Sequence, residues 1–158
     1  MRGTRTDAGT VRTHPIKEKT GFTLAKVCKA HRANVGALLA EHGLHVGQEM
    51  VLVELWQDDA LRGGELAARL GVEPPTVTKM LRRMERCGLV ERSPDPSDAR
   101  SFRVHLTDEG RALEEPVLRC WEQVEEMTLA GLNKAERRSF RNLLIRVRSN
   151  LDPDFGAE

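Results

Sequence analysis

The chain contains no tyrosine, and aromatic residues make up only 4% of its 158 positions. So few rings do not build an aromatic cage or a platform on which bases stack. Its three cysteines, Cys28, Cys87 and Cys120, are odd in number and fall at no paired spacing. That disfavours a secreted disulfide scaffold and suits a reducing cytoplasm. No window approaches the roughly 18 apolar residues of a membrane span, and the polar stretch from Met1 to Gly21 has no signal-peptide core. These absences predict a soluble, cytoplasmic protein with no membrane partner. Enzyme signatures are missing too: there is no phosphate-cradling glycine loop, no nucleophile elbow and no His-Glu metal motif. The adjacent pairs Asp58-Asp59 and Glu114-Glu115 diverge on a helix and do not form catalytic dyads. Asp58-Asp59 reads instead as a solvated helix end. A binding protein that requires no cofactor is expected.

What the chain does have is a local charge pattern. Lys and Arg number 25 against 24 Asp and Glu, a net charge of +1, but the signs are segregated. No Lys or Arg occurs between Arg32 and Arg62, whereas Glu41, Glu49, Glu54, Asp58 and Asp59 all do. From Pro75 to Arg103 the balance reverses. Lys79, Arg82, Arg83, Arg86, Arg92, Arg100 and Arg103 are opposed only by Glu85, Glu91, Asp95 and Asp98. The C-terminal segment is basic again, with Lys134, Arg137, Arg138, Arg141, Arg146 and Arg148. When the partner is a polyanion, such local asymmetry matters more than net charge.

Hydrophobic periodicity divides the chain. Residues 1–20 have none and are expected to form a flexible arm, from which Arg2, Arg5 and Arg12 could reach a polyanion. Apolar positions recur at helical spacing over about 23–42, with Gly43 as the stop, and a largely apolar second helix runs over about 46–58. Two short helices follow. One ends at Gly71; the other enters at Pro74-Pro75-Thr76 and ends at Gly88. In the latter, Val77, Met80, Leu81 and Met84 form one stripe, opposite Pro75, Lys79, Arg82, Arg83 and Arg86. Residues 89–93 and 102–106 read as strands around a turn-rich Pro94 to Arg100 segment. Thr107 caps a long helix that Pro116 should kink or break. Asn133 and Glu136 form a capping box for a last helix that buries Phe140, Leu143, Leu144, Val147 and Leu151.

Two short helices followed by a basic-tipped hairpin are the parts of a winged helix-turn-helix, in which the second helix enters the major groove. The wording of the motif is more specific. Glu65-Leu-Ala-Ala-Arg-Leu-Gly-Val72, Thr76-Val-Thr-Lys-Met-Leu-Arg-Arg-Met-Glu-Arg-Cys-Gly-Leu-Val90, Asp95-Pro-Ser-Asp-Ala-Arg-Ser101 and Val104-His-Leu-Thr-Asp-Glu-Gly-Arg111 follow in order. Together they resemble the MarR family of transcriptional regulators, over roughly residues 43–151. The resemblance implies a mainly α fold with a small β-hairpin wing and a single domain over 21–151. The winged unit would occupy about 46–106, dimerisation helices about 23–42 and 107–151, and a short tail 152–158. It also implies a homodimer on a pseudo-palindromic double-stranded DNA site, acting as a repressor that a small phenolic or aromatic-acid effector relieves.

Carried over by position, Pro75, Thr76, Thr78, Lys79 and Arg82 are candidates for groove contacts, since Lys and Arg can read guanine edges. Arg83 and Arg86 are placed on phosphates. Arg100 and Arg103 belong to the wing, with Asp98 as the carboxylate that would orient Arg100. The wing loop carries fewer basic residues than the family usually has, which puts more weight on Arg100.

Two other readings compete. Cys28, His31, His42 and His45 lie close in sequence and could hold a transition metal in a zinc-type regulator, although nothing converges four ligands on one point. A winged helix that binds protein rather than DNA is the other, and such a module would have no use for the basic face. Thiol sensing needs an exposed, stabilised thiolate, whereas Cys87 and Cys120 read as packing residues and Cys28 lies well along an apolar-striped helix.

Overall fold

The computed structural model describes residues 13–152. A 3-10 turn at Pro15–Glu18 leads into α1 (Thr20–Ala40), followed by α2 (Gln48–Gln57), β1 (Leu61–Arg62), α3 (Gly63–Leu70) and α4 (Pro74–Arg86). The hairpin of β2 (Val90–Asp95) and β3 (Asp98–Leu106) precedes α5 (Asp108–Ala112), α6 (Glu114–Thr128) and α7 (Lys134–Leu151). The end of the expected arm, 13–20, is thus partly helical, because Pro15 sets φ for a turn that runs straight into α1. Residues 1–12 and the end of the tail lie outside the described residues.

The chain's own polar groups define the boundaries. Gly43 takes φ +72°, the left-handed turn that ends the α1 segment. α2 starts two residues later than its apolar pattern suggests. Gln48 Oε1 accepts from the His45 amide at 2.8 Å and Glu49 Oε2 from the Gly47 amide at 2.6 Å. Both side chains are buried while closing this turn, and burial pushes the Glu49 carboxyl above its ordinary pKa. Pro116 lacks the amide that would bond to Ala112, and the long helix accordingly breaks at Leu113 into α5 and α6. Asn133 Oδ1 accepts from the Ala135 and Glu136 amides, and Glu136 reaches back to the Asn133 amide, so α7 has its capping box.

One core serves the winged unit and part of the helical scaffold. Val51, Leu52 and Leu55 of α2, Leu66 of α3, and Val77, Leu81 and Met84 of α4 pack on Val104 and Leu106 of β3 and on Val117, Cys120 and Val124 of α6. The sheet order is β1-β3-β2, all antiparallel, with Val90 opposite Leu106, Arg92 opposite Val104 and Leu61 opposite Val104. The two-residue β1 carries no periodicity in the sequence. It exists because the chain after α2 is pulled onto β3: Asp59 Oδ1 accepts from the Ala60 and Leu106 amides, and Arg103 donates to the Ala60 carbonyl at 3.0 Å. Held from both sides, Ala60 adopts φ +62°. Asp59 is therefore a tie between elements and not a solvated helix end.

α7 differs from every other long helix: none of its 18 residues is buried. Leu143, Leu144, Ile145, Val147 and Leu151 are all exposed, Leu151 to 75%. The expectation that α7 buries its apolar stripe is not met among the described residues, where Phe140 is half-buried and the rest of the stripe is exposed. α1 buries only Val35 and Leu39, near its C-terminal end.

At Gly110 α5 touches the turn before β2. A Cβ there would overlap the Leu89 carbonyl oxygen, a backbone atom that cannot swing aside. The Gly110 carbonyl also accepts from Trp56 Nε1 at 3.0 Å. Gly110→Ala should destabilise the fold by about 1–3 kcal/mol through overpacking, read as a lower urea midpoint; an unchanged midpoint would show that α5 can shift freely.

Candidate nucleic-acid interface

α3 supports α4 through a short turn. Gly71 at φ +62° ends α3, and the Val72 amide returns to the Ala67 carbonyl at 3.0 Å. Pro74 and Pro75 occupy the first helical positions of α4, where a missing amide costs nothing. With Val77, Leu81 and Met84 fully buried, helical geometry turns Pro75, Thr76, Lys79, Arg82 and Arg83 outward, and all five are exposed. Thr78 sits on the flank, its hydroxyl donating to the Pro74 carbonyl at 3.0 Å. Arg86 Nε donates to the Arg82 carbonyl at 3.3 Å.

The basic residues of this region fall into two groups. Arg92 grips Glu85 with two nitrogens, at 2.8 and 2.6 Å, and lies over the Phe102 ring, which fixes the hairpin to α4. Arg69 pairs with Asp58 at 2.7 Å and Arg111 with Asp59 at 2.6 Å. In contrast, Lys79, Arg82 and Arg83 form no ion pair with any carboxylate among the described residues. Their charge is uncompensated on one exposed helix face, spaced i, i+3 and i+4. Such a face offers amine and guanidinium donors to phosphates and base edges.

The wing is built around Asp95. Its side chain is fully buried; its carboxylate accepts from Arg62 Nε at 2.6 Å and from the Ser97 amide and hydroxyl at 2.8 and 2.6 Å, and forms an ion pair with Arg103 Nε at 3.1 Å. Arg62 Nη2 donates to the Ser97 hydroxyl at 2.7 Å. The Arg62 guanidinium, then Ser97, holds the Asp95 carboxyl well below the usual carboxylate range. This cluster bridges the start of α3 to the hairpin tip, where the register shifts between Pro94 and Asp95.

Two sequence expectations meet a different geometry here. Asp98 accepts from the backbone amide of Arg100 at 3.0 Å and so shapes the turn without pairing with the guanidinium. Arg103 points to Asp95 and Ala60, while Arg100 is exposed and forms no ion pair among the described residues. Asp95 and Arg62 were not singled out in the sequence. Asp95-Pro-Ser-Asp98 offers two carboxylates, and only the fold decides which is buried. Arg62 stands alone ahead of a short helix; its amide donates to Glu65 at 2.7 Å, the only local hint of its place.

The metal candidates do not converge. Among the described residues no group of three or more His, Cys, Asp or Glu could hold an ion. His31 packs against the Trp121 ring at 5.8 Å, and Cys28, His42 and His45 are exposed. Cys120 is buried as expected, which pushes its thiol pKa up, but Cys87 is exposed at the end of α4 and is not a packing residue.

The description "MarR family" belongs to a family model that matches residues 44–102, the span from the turn before α2 into β3. An HTH-type transcriptional repressor of Mycobacterium bovis is 31% identical over 130 residues, 82% of this chain and 94% of that protein. The chain belongs to the MarR family. The HTH-type transcriptional regulator TtmR of Methylorubrum extorquens is 35% identical over 77% of this chain, which spans 61% of TtmR. Among solved structures, one describing regulation of DNA binding of Bordetella bronchiseptica BpsR by 6-hydroxynicotinic acid superposes with a TM-score of 0.76. It is 29% identical and covers 86% of this chain and 97% of its own. Like the relatives it matches, this MarR-family chain is a DNA-binding transcriptional regulator. Metal-responsive and protein-binding alternatives are not favoured.

The Asp95 cluster makes a pH prediction. A carboxylate whose folded pKa is depressed stabilises fully above its unfolded pKa, about 4, and the stabilisation is lost as pH falls through the lower folded value. Asp95→Asn should lower the urea midpoint at pH 7 and make its decline below pH 4 shallower than in the unmodified chain. Parallel midpoint curves for the two proteins would remove Asp95 as the wing's anchor.

Proposed function

We propose that this regulator is a homodimeric repressor that reads its operator with α4 and touches the flanking duplex with Arg100. The observation that carries the DNA contacts is a contrast among the described residues: Arg62, Arg69, Arg92 and Arg103 are paired with carboxylates, whereas Lys79, Arg82, Arg83 and Arg86 on α4 and Arg100 on the wing are not. Thr76, Lys79 and Arg82, which follow one another at three-residue spacing along the exposed face of α4, are placed on base edges, and Pro75 and Thr78 line the same approach. Arg83 and Arg86 are placed on phosphates. Arg103 acts through Asp95 as a positioning residue of the wing, and Asp98 acts through the turn that carries Arg100.

The homodimer is supported by α7. An isolated helix of 18 residues is marginal in water, and this one exposes five large apolar side chains. A second copy covering α7 and the first half of α1 supplies the missing burial, which assigns about 23–42 and 107–151 to dimerisation within one domain over 21–151. Two copies of α4 would then meet half-sites about one helical turn apart. The chain's function is binding rather than catalysis, in the cytoplasm where the DNA is.

The effector is assigned to the small aromatic acids, on the precedent of 6-hydroxynicotinic acid and BpsR. Selecting genomic fragments with the purified protein at moderate salt should enrich an inverted repeat; recovery without sequence preference that vanishes with salt would overturn the reading. On that repeat, Lys79→Ala or Arg82→Ala should cost about 1–3 kcal/mol, or 5- to 150-fold in affinity. An equal loss on random DNA would move the residue to the phosphates. Titrating hydroxylated aromatic acids into the complex should lower affinity, and no change across the series would exclude that ligand class.

A further inference from the structure

The helices assigned to dimerisation carry opposite charge that, among the described residues, is largely unpaired. On α6, Glu115, Glu122 and Glu126 recur at seven and four residues and so lie along one face. This face is opposite the buried Val117, Cys120 and Val124. On α7, Lys134 and Arg141 recur at seven and lie beside the apolar stripe of Phe140, Leu143, Leu144, Val147 and Leu151. Glu122, Glu126, Lys134 and Arg141 are all exposed, and none forms an ion pair among the described residues. Among the described residues the one ion pair on these faces is Arg119 with Glu115, at 2.8 Å along α6 itself.

We propose that the acidic face of α6 receives the basic edge of α7 from a second copy of this chain, and that this pairing selects the partner. The inference rests on the homodimer reading above and adds what sets its register. The apolar stripe of α7 supplies area but little discrimination, because any amphipathic helix of similar width could lie on it. Charge supplies the discrimination: like charges brought face to face are unfavourable, and opposite charges are favourable only in one alignment. Glu122 and Glu126 stand about 6 Å apart along α6 and Lys134 and Arg141 about 10 Å apart along α7, a difference that the long basic side chains span, so two pairs can form at once. In a two-fold dimer each contact occurs twice, so four pairs act together. A single exposed pair contributes little, which is why the effect depends on this repetition.

The two-fold symmetry allows a direct test by charge exchange. One variant carries Glu122→Lys and Glu126→Lys; the other carries Lys134→Glu and Arg141→Glu. Alone, each would place like charges at both contacts, and its dimer dissociation constant by sedimentation should rise at least about tenfold at low salt. Mixed in equal amounts, the two variants present opposite charges at both contacts and should associate as tightly as the unmodified chain. All four substitutions in one chain should likewise restore self-association while preventing exchange with the unmodified chain, which checks the pairing even if one double variant folds poorly. Single-charge-set variants that dimerise as tightly as the unmodified protein, or a mixture that gains nothing, would overturn the proposal and leave the homodimer standing. An unmodified chain that sediments as a monomer at micromolar concentration would instead overturn the homodimer reading and this pairing with it.

Discussion

Reading DNA requires that α4 and the wing keep a fixed relation, and one buried carboxylate enforces it. Asp95 takes hydrogen bonds from Arg62, at the entrance to α3, and from Ser97 at the hairpin tip, and pairs with Arg103 on β3. Removing a carboxylate from water is costly, and the cost is offset only when several donors surround it. Here three donors do, with the Arg103 guanidinium beside them. Both arginines spend a nitrogen on Asp95, whereas Arg100 forms no ion pair among the described residues. Arg92 adds a second clamp between hairpin and helix through Glu85 and the Phe102 ring. The wing is therefore held at its base and at its tip, with Arg100 projecting from a fixed turn.

The same balance of burial explains why the scaffold helices look incomplete. The winged unit shares one core with α6, in which Leu52, Leu66, Leu81, Met84 and Val104 are shielded from water. Among the described residues α7 has no buried residue. A folded protein can expose single apolar residues freely, but a continuous stripe on a helix that touches little else marks a partner surface. In the proposed homodimer the labour divides: α4 and the wing are packed within one chain, whereas the exposed stripe of α7 awaits a second.

Much of this organisation is legible in the sequence because it rests on local chemistry. Gly43, Gly71 and Gly88 stop elements where positive φ is required, and all three adopt it. Asn133 and Glu136 announce α7, and the stripe of Val77, Leu81 and Met84 fixes which side of α4 faces inward. What escaped were features decided by distant partners. β1 is too short to show a period and exists through Asp59 and Arg103. Asp95 and Asp98 look alike until the register shift at Pro94 buries one of them. Arg103 alternates correctly along β3, yet the pattern alone could not say that its guanidinium would meet Asp95 rather than solvent. Cys87 has an apolar element on either side and is nonetheless exposed, because the helix ends before the chain turns inward at Leu89.

The path by which a ligand could change DNA affinity is set by where the chain is stiff. α5 moves with the winged unit: Trp56 holds the Gly110 carbonyl, Arg111 holds Asp59, and the Thr107 hydroxyl donates to the Gly88 carbonyl at 2.6 Å. The break at Leu113 follows directly, before α6 enters the scaffold. The other connection between scaffold and reader is the turn between α1 and α2, closed by Gln48 and Glu49. Rotation of the reader against the scaffold must therefore be taken up at these two places. A coupling of about 1–3 kcal/mol between ligand and DNA corresponds to a 5- to 150-fold change in affinity. A small change at either junction is enlarged by the length of the winged unit, so that two α4 helices well matched to one groove spacing cease to match it while each reader stays intact.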